Sequence, residues 1–319
     1  MYTLRPFETT ETDYQTMETI WNTGHPDDLY SAELFEHEDK TRNPANYHKR
    51  YLISVDGSIV GYGTILQTES GKKAQKIRFM IAVLPDHNDH QGIRGYFYDF
   101  ALDHLKDEEM VAIASHVRED HEEDVTFLKS RGFEPKQRAP RSLLDVQAFD
   151  FSQFNDVVKA VEDSGIEFLS VKQLQAEHPD TWQRLLFDLE VPVVADMPRV
   201  DEFVPMPFES YVENFLGDPM YIPEANVLAC DGDQLVAISN LWKDVGGTDK
   251  LWVGLTGTLR SHRRRGIATA IKVHTIRFAK NYGAIVVEAD NEENNPMFQI
   301  NLKLGFKPAP AYVYFEKTL

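Results

Sequence analysis

The chain lacks cysteine pairs, long apolar runs and a balance of basic residues, and each shortage excludes a class of protein. Its one cysteine, Cys230, allows no internal disulfide and no zinc site of the Cys-x-x-Cys type, and we predict no metal site. No stretch approaches 18 consecutive apolar residues, so no membrane span is predicted. The opening segment has no basic region followed by an apolar one, so we expect no secretory signal and a cytoplasmic location.

Basic residues are scarce relative to acidic ones. Lysine and arginine number 33 against 51 aspartates and glutamates, which gives a net charge of −18. A field of this sign opposes binding to nucleic acid and to anionic lipid, and we expect neither as a partner. It would attract cationic small molecules, although it serves solubility equally well.

The length of 319 residues, 42% of them hydrophobic, is enough for about two domains with real cores. Hydrophobic periodicity and turn residues predict a similar order of elements in each half of the chain. In the first half the predictions are strands at 2–7, 51–55, 59–66, 74–83 and 111–116 and helices at 11–21, 92–105 and 124–130. In the second half they are strands at 166–171, 226–229, 235–241, 252–258, 284–289 and 312–315 and helices at 178–189, 208–215, 266–282 and 296–304. Residues 145–164 and 191–207 are predicted to be irregular.

This order predicts an α/β fold in which a mostly antiparallel mixed sheet is flanked by helices on both faces. The repetition predicts two tandem domains, at residues 1–150 and 151–319. The turns Asp56-Gly57 and Asp231-Gly232-Asp233 mark the corresponding hairpins.

The most informative segment is LWVGLTGTLRSHRRRGIATA at positions 251–270. A predicted strand leads into a loop with three consecutive arginines, and Gly266 opens a long predicted helix. The first N–H groups of a helix have no partner within it and carry partial positive charge, which suits a phosphate. A glycine at this position allows close approach of an anion, and Ala268 keeps the next turn small.

This segment resembles the loop that binds the pyrophosphate of acetyl-CoA in the GCN5-related N-acetyltransferase (GNAT) superfamily, through Arg263, Gly266 and Ala268. Downstream, NNPMFQINLKLGF at 294–306 resembles a second motif of that family. The two motifs identify the C-terminal half as a GNAT-like domain, and the repeated element order extends the likeness to the N-terminal half.

The resemblance implies that acetyl-CoA is the co-substrate and that it lies between two strands that splay apart. It implies that exposed backbone groups of the first strand pair with the pantetheine arm, and that N–H groups of the loop and helix hold the pyrophosphate. It also implies that Asn294 helps to fix the cofactor. The implied cofactor-binding residues are Thr256, Gly257, Thr258, Arg263, Arg264, Arg265, Gly266, Ile267, Ala268, Thr269 and Asn294.

The catalytic residues are less clearly marked. Many family members have a proton-donating tyrosine seven residues after the motif asparagine, and Asn301 stands there in this chain. An asparagine can donate a hydrogen bond but cannot act as an acid at neutral pH. The proton could come from Tyr312, Tyr314 or water, or no acid could be needed, since a thiol with a pKa near 8.5 leaves readily as thiolate. Glu288 is the predicted general base. The alternative interpretation of Glu288 is a solvated carboxylate at the end of a strand, without a catalytic role.

The corresponding loop of the N-terminal half departs from the pattern. Aligning Gly92 with Gly266 puts Asp89 at the position of Arg263 and Arg94 at the position of Ala268. Aspartate near a pyrophosphate is repulsive, and arginine is too large for a position that needs a small residue. We therefore expect the N-terminal domain to be a structural partner without a working cofactor site.

We expect the chain to transfer an acetyl group from acetyl-CoA to an amine of a small molecule by direct attack in the C-terminal domain, and the acidic charge of the chain favours a cationic one. Acidic and aromatic residues at 190–208, among them Asp196 and Asp201, would suit such an acceptor. Three alternatives stay open: transfer to a protein or peptide amine, a catalytically silent acyl-CoA-binding protein, and a structural protein with two vestigial sites. A homodimer also stays open.

Overall fold

The chain forms two compact units, neither of which is contiguous in sequence. A computed structural model describes residues 1–67, 75–106, 108, 110–200 and 202–319. Unit 1 comprises Met1–Arg138, Val200–Val204 and Ala311–Leu319, and unit 2 comprises Ala139–Arg199 and Pro205–Pro310. The division at residue 150 stays a prediction. Ala74, where a strand was predicted to start, and Asp201 lie outside the described residues.

The helices and strands predicted in the first half of the chain are present in their predicted order, and the structure adds a helix at Ala32–Thr41 and a strand at Glu134–Asp145. The strands are β1 (Tyr2–Pro6), β2 (His48–Val55), β3 (Ser58–Gln67), β4 (Lys76–Val83), β5 (Ala112–Arg118) and β6 (Glu134–Asp145). The helices are α1 (Glu11–Gly24), α2 (Ala32–Thr41), α3 (His90–Leu105) and α4 (Glu122–Ser130). Asp56 and Gly57 both have positive φ in the two-residue turn between β2 and β3, which is the turn that the Asp-Gly pair predicts.

The second half repeats this arrangement. Its helices are α5 (Asn155–Asp163), α6 (Val171–Glu177), α7 (Trp182–Ala195), α8 (Phe208–Ser210), which continues as a π-helical turn at Tyr211–Leu216, α9 (Ile267–Tyr282) and α10 (Pro296–Lys303). Its strands are β7 (Ile166–Ser170), β8 (Tyr221–Asp231), β9 (Gln234–Asp244), β10 (Gly247–Thr258), β11 (Val286–Asp290) and β12 (Lys307–Thr318). Short 3₁₀ turns lie at Phe151–Phe154 and Arg260–His262.

Each unit contains a sheet that is antiparallel except at one pair. In unit 1 the antiparallel run β1-β2-β3-β4 is followed by β5, which is parallel to β4. In unit 2 the antiparallel run β7-β8-β9-β10 is followed by β11, which is parallel to β10. The prediction of a mixed, mostly antiparallel sheet in each half is confirmed.

The last strand of each sheet comes from a different part of the chain than the sequence predicts. In unit 1, β12 pairs antiparallel with β5 over Tyr312–Thr318, although 312–315 was predicted as part of the C-terminal domain. In unit 2, β6 pairs antiparallel with β11 over Arg141–Asp145. Strand partners far apart in sequence leave no local signal, because periodicity reports only that a segment is a strand.

Three local predictions were wrong. Residues 155–163 form the amphipathic helix α5, not an irregular segment. Residues 171–195 form two helices, α6 and α7, with a break at 178–181, and α7 continues through Pro192 to Ala195. Helix α3 begins at His90, two residues before the predicted start, because the Asp89 side chain caps it.

In each unit apolar clusters lie on both faces of the sheet. On β8, Val227 and Ala229 pack in the cluster that contains α9, while Leu228 points to the cluster that contains α7. The helix-covered faces predicted from the sequence are therefore present. Among the described residues, none of the helices is long and apolar enough to cross a membrane.

Candidate functional site

The loop between β10 and α9 is held in place by two carboxylates of unit 2. Asp196, at the C-terminal end of α7, pairs with Arg260 at 2.5 Å and also with Arg263, whose Nε donates to the Thr258 carbonyl at 2.9 Å. These guanidinium groups hold the pKa of Asp196 below its usual value. Asp231 lies 3.2 Å from Arg265. The loop is thus tied to α7 on one side and to the β8–β9 turn on the other.

The three consecutive arginines consequently have different surroundings. Arg263 and Arg265 are paired, whereas the exposed side chain of Arg264 has no partner among the described residues. Arg264 also has a left-handed backbone, with φ of 61°. A non-glycine residue adopts this conformation at a cost of about 1–2 kcal/mol. The geometry therefore favours Arg264 as the charged side chain for an anion, and Arg263 as an anchor of the loop.

The backbone at the start of α9 presents unpaired N–H groups. Gly266 is the N-cap residue with φ of 81°, and it provides no side-chain cap. The N–H groups of residues 264–268 have no backbone partner in the described part of the chain, while that of Thr269 donates to the Gly266 carbonyl at 3.0 Å. Together with the helix dipole, these five donors suit an anion.

The edge of β10 that leads to this loop is also unpaired. Pairing between β10 and β11 covers only Lys250, Leu251 and Trp252 and then stops. Among the described residues the rest of the strand, including Thr256, Gly257 and Thr258, therefore has no strand partner on that side, although the Thr258 carbonyl accepts from Arg263 Nε. The Thr256 hydroxyl contacts Ser239 at 2.9 Å on the other side, and a Cβ at Gly257 would collide with Val193. The predicted splaying of these two strands is present.

The register of β10 with β9 shifts between Val253 and Thr256. Within this bulge the Leu255 N–H donates to Asn240 Oδ1 at 2.7 Å, and a Cβ at Gly254 would collide with Trp242. A bulge re-aims the backbone locally. It lies near the point at which pairing with β11 stops, at the opposite end of the free strand segment from the loop.

The predicted base and the predicted hydrogen-bond donor are buried and already engaged. Glu288 is 1% exposed; one oxygen pairs with the Arg141 guanidinium and the other lies 3.7 Å from Lys250 Nζ. A proton taken by Glu288 would break this pairing, so the geometry does not favour it as a base. Asn301 is fully buried and its Nδ2 donates to Asn291 Oδ1 at 2.7 Å, while its own Oδ1 has no partner among the described residues. Asn294 is exposed and its Nδ2 donates to Glu292.

The structure places Tyr314 and Tyr312 in unit 1, and a catalytic role for Tyr314 stays a prediction. Tyr314 pairs with His116 across β12 and β5, and its hydroxyl donates to Glu316 at 3.1 Å. The Tyr312 hydroxyl donates to Asp28 at 2.9 Å. The cause is the pairing of β12 with β5, which adds this segment to the sheet of unit 1.

Helix α7 carries an unusual carboxyl group, Glu190, which the sequence pattern placed in the acidic segment 190–208 without distinguishing it from the other acids. Glu190 is 4% exposed and accepts a hydrogen bond from the Tyr211 hydroxyl at 3.0 Å. Burial raises the pKa of Glu190 to about 8, against the opposing effect of the Tyr211 hydrogen bond. A signal was present: Glu190 follows Leu186 and Leu189 and precedes Val193 on the apolar face of a helix. Strongly raised pKa values of this kind cluster at functional sites.

In the described part of unit 1, a side chain already caps the start of the corresponding helix. The side chain of Asp89 caps α3 and accepts from the Gly92 N–H at 3.0 Å, so a carboxylate already occupies the start of the helix. By helix position Asp89, and not Gly92, is the counterpart of Gly266, which corrects the alignment made from the sequence. Arg94 is buried against Asp124 at 2.6 Å. A cavity of about 610 Å³, open solvent at its mouth included, lies beside β4 and β5.

Comparison with known proteins agrees with this geometry. Residues 195–306 match the model of the acetyltransferase (GNAT) family. A tandem GNAT protein from the clavulanic acid biosynthesis pathway, solved without AcCoA, has a TM-score of 0.76 at 15% identity, over 100% of this chain and 98% of its own. A GCN5-related N-acetyltransferase from Sphaerobacter thermophilus has a TM-score of 0.69 at 16% identity, over 99% and 95%. None of the curated proteins matches the sequence.

The family uses acetyl-CoA as its co-substrate, and the residues of unit 2 fit that molecule. Unpaired N–H groups suit the pyrophosphate, and the free edge of β10 suits the amides of the pantetheine arm. Residues 195–306 are similar to the acetyltransferase (GNAT) family, and the chain as a whole has the fold of a tandem GNAT protein.

Proposed function

We propose that the chain transfers an acetyl group from acetyl-CoA to the amine of a small molecule, at the site in unit 2. The observation that carries this proposal is the row of unpaired N–H groups at 264–268, continuous with the free edge of β10. Acetyl-CoA complements both parts of this surface. Its diphosphate accepts hydrogen bonds from the N–H groups, and the amides of its pantetheine arm pair with the strand edge. In unit 1 the Asp89 carboxylate occupies the start of helix α3, where the corresponding N–H groups lie, so the proposal places the site in unit 2.

The reaction requires that the amine and the thioester be held in position and that the sulfur leave with its electron pair. The amine nitrogen attacks the thioester carbonyl carbon; a C–N bond forms, the C–S bond breaks, and the sulfur leaves with the electron pair. Because a CoA thiol has a pKa near 8.5, its thiolate leaves without an obligatory acid. This accounts for an asparagine, Asn301, at the position where many relatives have tyrosine. What the protein adds is a fixed orientation of the thioester along β10, where alignment is worth several powers of ten in rate.

A small cationic acceptor is consistent with the charge of the chain. The net charge of −18 attracts cations and repels nucleic acid and acidic proteins. A protein or peptide amine is the alternative acceptor. The absence of the motif tyrosine also keeps a silent acyl-CoA-binding protein as a second candidate function.

Calorimetric titration with acetyl-CoA tests the site. In Gly266→Asp a carboxylate would stand beside the pyrophosphate, and two unit charges 4 Å apart repel by about 4 kcal/mol at an effective dielectric of 20. We expect the affinity to fall by at least about 100-fold. The control for charge and for left-handed backbone is Gly283→Asp, since Gly283 ends the same helix with φ of 98°; a Cβ at Gly266 would also lie 3.1 Å from Val157, so thermal melts check that both variants fold. Equal affinity in the two variants would remove the loop from the site.

Release of free thiol from acetyl-CoA separates the candidate functions. The amines offered are ethanolamine, tyramine, spermidine, glucosamine and a lysine-containing peptide. Acetylation of one of the first four supports the proposal, and acetylation of the peptide alone supports a protein acceptor. Tight binding with no thiol release for any amine would support the silent acyl-CoA-binding protein.

A further inference from the structure

The buried carboxyl group of Glu190 has no part in the proposed binding of acetyl-CoA. Its Oε1 accepts from Tyr211, which lies on the π-helical turn at Tyr211–Leu216. Single π-helical turns occur frequently at functional sites. Helix α7, which carries Glu190, also carries the carboxylate that anchors the anion loop, so both groups belong to one rigid element.

The position of Glu190 along strand β10 follows from the contacts of α7 with that strand. Val193 lies against Gly257 of β10, and Asp196 pairs with Arg260 just beyond the end of that strand. Helix and strand thus run in the same direction. A helix rises about 1.5 Å per residue and a strand about 3.3 Å. Glu190, three residues before Val193, therefore lies one to two strand residues before Gly257, at the level of Leu255.

That level is where β10 and β11 separate. Leu255 lies in the bulge of β10, just after the point at which pairing with β11 stops. Leu255, Val193 and Tyr211 belong to one apolar cluster on this face of the sheet. An arm that starts at the anion loop and follows the free edge of β10 brings its far end to this bulge. The far end of acetyl-CoA is the thioester.

We propose that Glu190 accepts the proton of the acceptor amine, and that the acceptor reaches the thioester from the face of the sheet covered by α7. This inference rests on the proposed function and names its catalytic residue. The ammonium of the acceptor gives one proton to the Glu190 carboxylate. The neutral amine then attacks the carbonyl carbon, the C–S bond breaks with its electron pair going to sulfur, and the second nitrogen proton passes to the thiolate. Glu190 returns its proton to solvent.

The surroundings of Glu190 indicate the class of acceptor. The Tyr221 hydroxyl is buried without a partner among the described residues, and it can bind a polar group of the acceptor. The rings of Phe215 and Tyr221 lie 4.7 and 5.3 Å from that of Trp242, and Tyr211 stacks on Phe215 at 5.3 Å. Aromatic faces beside a carboxylate favour a protonated amine. The acceptor class is therefore a cationic primary amine.

The titratable groups that face Glu190 are Tyr211 on the π-helical turn and Tyr221 on β8. Burial raises the pKa of both phenols, and the Glu190 carboxylate raises them further, so both stay neutral in the working range of pH. Burial raises the pKa of Glu190 itself to about 8. Since the base must be ionised, kcat/KM should rise with pH and level off above about 8.

Carbon-13 NMR of the full chain, labelled at the glutamate carboxyl carbons, tests this inference without knowledge of the acceptor. The resonance lost in Glu190→Gln is that of Glu190. We expect it to titrate near 8 and to shift when acetyl-CoA is added. Glu177→Gln is the control, because Glu177 is exposed on α6 and its resonance should not respond to acetyl-CoA.

The second measurement is the rate of acetylation. The acceptor is the amine that the unaltered chain acetylates fastest. Glu190→Gln should lower kcat by about 10²- to 10⁴-fold, the usual contribution of a general base, and leave acetyl-CoA affinity unchanged. Tyr211→Phe removes a hydrogen bond that lowers the pKa of Glu190, so the midpoint of the pH profile should move to higher pH. A purely structural glutamate would leave the midpoint in place.

The outcomes separate this inference from the proposed function. If acetyl-CoA does not bind to the unaltered chain, or no amine is acetylated, the proposed function fails and this inference fails with it. If acetyl-CoA binds and an amine is acetylated, but the Glu190 resonance does not respond and Glu190→Gln keeps its kcat, only the inference is overturned.

Discussion

At the scale of single residues, buried ionisable side chains of unit 2 differ in whether a partner compensates their charge. Glu288 faces Arg141 and Lys250 across neighbouring strands, so its charge is compensated. Glu190 has only a hydroxyl partner, and Lys272 on α9 lies over the ring of Phe306 at 5.4 Å. An unpaired buried charge is costly, so such groups shift toward their neutral forms. The compensated pair suits a structural role and the uncompensated acid suits proton transfer.

Replacement of Lys272 should stabilise the protein in a pH-dependent manner. Burial lowers the pKa of Lys272 from 10.5 to about 7, so between these values the unfolded chain binds more protons than the folded one. The stability of the unaltered protein therefore rises with pH across this window. We expect Lys272→Met to raise Tm most at pH 7 and below, and the gain to shrink toward pH 10, as measured by calorimetry.

The exposed Lys303→Met variant on α10 is the control and should change Tm little at any of these values. A gain for Lys272→Met that stayed constant with pH would mean that Lys272 is charged in the folded protein.

What the sequence could predict at this scale depended on the range of the interaction. Gly266 and the N–H groups beside it are specified by neighbours in the chain, and they lie at the start of the helix as predicted. Glu190 depends on a helix packing against a distant strand, and Tyr314 on a strand pairing across almost 200 residues. Neither contact leaves a local pattern in the sequence. The predictions of the base and of the acid were therefore the least secure of those made for the site.

At the scale of elements, the two long helices α3 and α9 begin in opposite ways. Asp89 places a carboxylate on the first turn of α3, whereas Gly266 leaves the first turn of α9 open between the arginine pairs of the loop. A carboxylate at the N-cap satisfies the same N–H groups that a phosphate would bind. One helix is internally capped and the other is free for a ligand.

The number of bound acetyl-CoA molecules follows from this difference. We expect calorimetric titration of the full chain to give one acetyl-CoA per chain, because the capped helix start repels the pyrophosphate. The stoichiometry should fall to zero in Gly266→Asp and stay at one in Asp89→Ala if unit 1 also lacks the rest of the site. Two molecules per unaltered chain would show that the Asp89 cap gives way to a ligand.

At the scale of the whole molecule, the sequence predicted two copies of one fold but not the origin of their final strands. Hydrophobic periodicity identified the segment at 312–315 correctly as a strand. It could not show that β12 completes the sheet of unit 1, or that residues 139–145 of β6 complete that of unit 2. A cut at residue 150 would therefore take from unit 2 a strand that pairs with β11 and carries Arg141.

Fragments of unit 2 test this strand requirement. A fragment of residues 139–310 keeps β6 beside β11, whereas a fragment of 151–310 lacks it and loses Leu144, Val146 and Phe149 from the core. The shorter fragment also leaves Glu288 without Arg141, and removal of one partner of a buried ion pair costs roughly 3–5 kcal/mol. We expect the longer fragment to unfold cooperatively and bind acetyl-CoA, and the shorter one to show neither property in thermal melts and calorimetry. Because Gly266 and Glu190 are present in both, equal binding by the two fragments would show that the strand from the first half of the chain is dispensable to the site.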